Sequence, residues 1–145
     1  MPGLELSYGD FLDRARSVAR GIMALGVAAG GHVGILANNG EELASALFGT
    51  WLADCVAVPL NARHKPHELG YIIADAGLEL LLTTARDTSY SDFPELLASA
   101  LAGLDAQSDP AHLSLSDLPE LKAIVVLEGE ARPGTLSATR FAELG

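Results

Sequence analysis

Four short runs in this chain, HVGILA (32–37), CVAVPL (55–60), LELLLTT (78–84) and LKAIVVLEG (121–129), are apolar almost without interruption. A strand with one wet face alternates apolar and polar residues. A continuous apolar run is a strand covered on both sides, and that arrangement belongs to parallel sheets whose crossover helices lie on both faces. The segments between the runs carry helical spacing, so the expected fold class is α/β: an open, mostly parallel sheet with helices on both faces. With 145 residues, 49% of them hydrophobic and 19% charged, the chain has the length of one domain and ample material for a core.

The first helix has a clear start. Ser7 can cap it, Asp10 stands at its third position, and Leu6 can staple onto Phe11. Phe11, Leu12, Ala15, Val18, Ala19, Ile22 and Met23 define its apolar face, Asp13, Arg14, Arg16 and Arg20 the other, and Gly26 the left-handed stop. After HVGILA, Asn38, Asn39 and Gly40 close the strand and can cap the next helix. Glu41 and Glu42 lie in its first turn, and the following LASALFGTWLA has almost no polar face, which predicts a helix sandwiched between layers with Leu47, Phe48 and Trp51 in the core. Pro59 suggests that the second strand leaves its ladder near its end. Pro66 opens a helix with Leu69, Ile72, Ile73 and Ala76 on one side and Gly77 at its end.

Three regions follow: an alternating helix and strand core over 1–84, a loosely structured connection with one short helix over 85–118, and a strand plus the start of a helix over 119–145. The polar stretches TARDTSYSD and DAQSDPAHLSLSD read as surface connections, with a short helix in FPELLASALAGL between them. SATRFAELG begins a capped amphipathic turn.

Nine Lys and Arg against nineteen Asp and Glu give a formal charge of -10, so no broad basic surface exists for nucleic acid or an anionic membrane. The stretch from Leu43 to Leu60 approaches the length of a short membrane span, but Asp54 and Pro59 interrupt it, and a buried helix running into a buried strand accounts for it better. One cysteine, Cys55, and a first segment without a signal-peptide pattern make the cytoplasm the expected address.

In open α/β sheets ligands sit beyond the carboxyl ends of the strands, which directs attention to the segments after Ala37, Leu60, Thr84 and Glu128. The cluster Gly30-Gly31-His32-Val33-Gly34 precedes a strand rather than linking a strand to a helix, so it reads as a tight turn and not as a phosphate loop. His64 and His67 are three apart with Pro66 between them, and His32 and His112 are isolated; all four read as polar surface residues rather than metal ligands. Cys55 enters an apolar strand, an environment that suppresses the thiolate, so it reads as structural. Glu41 and Glu42 are helix-terminus charges rather than an acid and base pair. Asn61, Ala62 and Arg63 are the best placed polar residues. Arg63 could bind a carboxylate or phosphate, though a salt bridge or a carbonyl contact that orients the loop is the favoured reading. No residue is assigned a catalytic, cofactor-binding or metal-binding role.

The order of segments resembles the opening of the adenylate-forming enzymes, the AMP-dependent synthetases and ligases, and most of all the acyl-CoA synthetases. The resemblance rests on the S-Y-x-x-F helix start, the A-L-G-V turn, the A-V-P-L-N strand end and the P-x-E-L-x-Y-I-x-x-D-A-G helix, with LKAIVVLEGEARPGTLSATRFAELG similar to the stretch before the nucleotide loop. The chain departs from the family pattern at Gly31-His32, where Gly-Asp is usual, in LANNGEEL, which lacks a common proline, and at Ala53-Asp54, where Ala-Gly is common; Asp tolerates the left-handed turn needed there better than most residues.

The resemblance implies a parent enzyme that uses ATP, Mg2+ and coenzyme A to convert a carboxylic or fatty acid to an acyl-adenylate and then to a thioester. It places the Ser/Thr/Gly-rich loop, the adenine and ribose motifs and the lysine-bearing mobile domain beyond Gly145. The expectation is an N-terminal scaffold fragment, inactive and without cofactors of its own, whose partner is the remainder of the synthetase or another chain meeting an exposed apolar surface, with a homo-oligomer also open. The alternatives are a stand-alone interaction module or truncated pseudoenzyme, and a small nucleotide-binding domain.

Overall fold

The computed structural model describes residues 7–37, 40–61, 63–85 and 92–145. Five strands, β1 (His32–Leu36), β2 (Val56–Pro59), β3 (Leu80–Thr83), β4 (Ala123–Val126) and β5 (Leu136–Ser137), form one sheet in the order β2-β1-β3-β4-β5, and every neighbouring pair is parallel. The helices are α1 (Tyr8–Ala24), α2 (Glu41–Leu52), α3 (Pro66–Ala76), α4 (Phe93–Ala100) and α5 (Ala138–Leu144), with a short 3-10 turn at Leu104–Ala106.

Strand alternation divides the core in two. Val33, Ile35, Leu80, Leu82, Ala123 and Val125 project to one side, where α1, α2 and α5 cover them, while Leu36, Leu81 and Ile124 project to the other, beneath α3 and α4. The expected α/β sheet with helices on both faces is thus the fold observed. β3 and β4, in the middle, are buried along their whole length.

The helix ends follow their local chemistry. Ser7 Oγ accepts the Asp10 N–H at 3.0 Å, and Ser137 Oγ accepts that of Arg140 at 3.2 Å. Gly77 ends α3 in the left-handed region, at φ 61°. Asp54 takes the same conformation at φ 61° in the turn between α2 and β2, as expected of it. Leu6, Asn38, Asn39 and Ala62, and the staple and caps expected of the first three, lie outside the described residues, as do residues 86–91 of the first polar connection.

Four expectations need correction. α2 is not sandwiched: it buries Ser45, Ala46, Gly49 and Thr50 against α1 and the sheet, while Phe48 is 47% and Trp51 53% exposed. Nothing among the described residues forms an outer layer over it, so these rings are not core, and Leu47 is only half-buried. β2 is likewise not a buried strand. It is the edge of the sheet, paired with β1 alone, and Val56 lies open.

In α1 the apolar stripe is narrower than its spacing implies, for Leu12 and Met23 point to solvent. Finally, the connection through 85–118 is no simple surface loop: Leu104, Leu113, Leu115 and Leu118 are buried in the α3 and α4 side of the core. The Gln107 side chain holds it in place, its Oε1 accepting the Ser114 N–H at 2.8 Å. β5, two residues long, has no counterpart in the sequence reading because so short a strand leaves no periodic signal.

Outward from β1, the edge of β2 is sparse. The N–H groups of Val56 and Leu60 donate inward to Gly31 and Ile35 at 2.8 Å, which leaves Ala57 and Pro59 facing away from the sheet.

Candidate functional site

Because all strands are parallel, their carboxyl ends share one rim of the sheet. At this rim Asn61 and Arg63 follow β2, and Asn61 Oδ1 accepts the Arg63 N–H at 2.9 Å, a local turn that shapes the loop. The Arg63 side chain is exposed, and its guanidinium has no ion pair among the described residues.

The glycine cluster lies at the opposite, amino end of β1. Its backbone groups are spent on neighbouring chain: the Gly30 N–H donates to the Asp54 carbonyl at 2.7 Å, Gly31 O accepts from Val56, and His32 Nδ1 donates to the Ala76 carbonyl at 2.7 Å. This is a turn that ties β1 to β2 and α3, not a cradle for a phosphate.

The remaining candidates are dispersed. Cys55 is buried with Sγ 3.5 Å from the Ala28 carbonyl. Burial, then the charges of Glu79 and Asp54, push its thiol up from the ordinary range, which disfavours the thiolate. Glu41 pairs with Arg14 at 3.0 Å and so joins α1 to α2. Asp109 pairs with His112 at 2.9 Å, and this hydrogen bond, then that from the Ala111 N–H, lowers the carboxyl below its usual range. His64 lies in the loop before α3 and His67 in its first turn. No group of three or more His, Cys, Asp or Glu among the described residues is arranged to hold a metal ion.

A helix N-terminus attracts anions when its first amides are free and no negative side chain occupies the field. Among the described residues, three of the five helix termini are capped by a side chain. Ser7 caps α1, Asp92 Oδ1 accepts the Glu95 N–H of α4 at 3.1 Å, and Ser137 caps α5. In α3 the Glu68 carboxylate accepts the Lys65 N–H at 3.0 Å, a contact that lowers its pKa. α2 has no side-chain cap, but Glu41 and Glu42 already supply its negative charge. Side-chain caps thus occupy the first amides of α1, α4 and α5.

Sequence reasoning missed one feature near the rim. Arg14, Val18, Glu42, Ser45 and Leu127 line an open cavity between α1, α2 and the end of β4. Ser45 is buried, and its Oγ has no hydrogen-bond partner among the described residues. Its place in an otherwise apolar helical run gave no signal of this.

A profile of the AMP-binding enzyme family matches residues 2–139. The acyl-CoA ligase sidI of Aspergillus fumigatus is 31% identical over 128 residues, which make up 88% of this chain and 20% of that protein. A feruloyl-CoA synthase from an Amycolatopsis species is 35% identical over 115 residues, 79% of this chain and 22% of its own. Among solved structures, the anthranilate CoA ligase AuaEII in complex with anthranoyl-AMP superposes with a TM-score of 0.77 at 25% identity, over 98% of this chain and 24% of that one. The chain thus spans a quarter or less of the length of the curated relatives it matches.

Proposed function

Because this chain belongs to the AMP-binding enzyme family, we propose that it serves as the N-terminal scaffold segment of an acyl-CoA synthetase. The complete enzyme would join a carboxylic acid to AMP with loss of pyrophosphate from ATP, then transfer the acyl group to the thiol of coenzyme A; fatty acids are one candidate substrate class. The observation that carries this reading is the lopsided match: nearly all of this chain aligns to about a quarter of a CoA ligase structure. In this proposal 1–145 is a partial N-terminal domain, with the wall formed by 1–84 and 119–145 and braced by 85–118. ATP, Mg2+ and coenzyme A are, in this proposal, handled by the remainder of the synthetase, a reading supported by the side-chain caps on α1, α4 and α5.

The same reading gives the exposed side of α2 a purpose, as surface covered by the remainder of the synthetase. No helix among the described residues is long and apolar enough to cross a membrane, and a cytoplasmic address remains part of the proposal. The test is ATP-pyrophosphate exchange with a panel of carboxylic acids: the 145-residue chain gives no exchange above a protein-free blank, and measurable turnover overturns the scaffold reading. A second reading, a stand-alone interaction module that associates with itself or another chain, is favoured by the exposed Phe48 and Trp51 rings. Sedimentation over a concentration series separates the two, since a module of that kind associates as concentration rises.

A further inference from the structure

We draw no further inference here: the strongest candidate, the aromatic ridge of Phe48 and Trp51 on the outer side of α2 beside the free edge of β2, belongs to the scaffold reading already proposed, and nothing in the structure shows what covers it.

Discussion

The two faces of the sheet are packed by different means. On the side of α1, α2 and α5, eight of the fifteen buried core residues among those described are Ala or Val, so the helices come close and contact depends on small residues. A Cβ on Gly49 would lie 2.5 Å from Val18 Cβ, and one on Gly21 would lie 2.5 Å from the Phe141 ring. On the side of α3 and α4, eleven of the fourteen described core residues are leucine, and several come from irregular backbone rather than helices. Small residues make a tight joint between regular elements, whereas leucines on a folded connection fill space that no regular element reaches. The first side also ends in the exposed rings of Phe48 and Trp51, with the half-buried Phe11 meeting Phe48 edge-on at 5.3 Å and Phe48 meeting Trp51 at 5.1 Å. The second side has its connection folded in as part of its cover.

The contrast can be broken most severely on the leucine side. Leu97→Ala in α4 and Leu115→Ala in the irregular connection should each cost about 3 kcal/mol, because both side chains are buried and neither site can collapse fully. Urea denaturation would measure this, and a negligible cost at Leu115 alone would mean that the connection merely lies on the surface. On the opposite side, Gly49→Val should cost about 2 kcal/mol by wedging α1 from α2, since the Ala15 carbonyl stands in the way as well as the Val18 side chain. Near-wild-type thermal unfolding of this variant would refute a tight joint.

Smaller effects sharpen the comparison at the margins of the small-residue side. Asp54→Gly should raise stability by about 1 kcal/mol by removing the cost of a left-handed non-glycine residue. A fall in the denaturation midpoint would instead assign the Asp54 side chain a stabilising role. Trp51→Gln should shift stability by no more than about 0.5 kcal/mol while weakening the binding of an apolar dye such as ANS. A large loss of stability would place Trp51 in the core after all.

The strands β1 to β4 were legible from their continuous apolar runs, and α1 and α3 from their caps and spacing, because those signals are local. The same locality explains what failed. α2 reads as sandwiched because LASALFGTWLA is apolar all round, yet such a composition does not say which side packs: Ser45, Ala46, Gly49 and Thr50 are buried while Phe48 and Trp51 are exposed. Leu113, Leu115 and Leu118 sit among Ser, Asp and His, so their burial is set by distant leucines and by Gln107, not by any period. For the candidate site, the burial of Cys55 and the glycine cluster as a turn were both readable from their position relative to a strand. The Ser45 hydroxyl, unpartnered among the described residues, was not, because satisfaction of a polar atom depends on three-dimensional neighbours.

Pro59 bears on how such a segment could fail. An exposed parallel edge is a template for fibril growth, since each outward amide can recruit a further chain. Along β2 only Ala57 and Pro59 face outward, and proline has no hydrogen to give, so a recruited strand would find a single donor. Clumping of this polypeptide should therefore proceed through its oily helices and yield amorphous precipitate rather than ordered ribbons nucleated at that border.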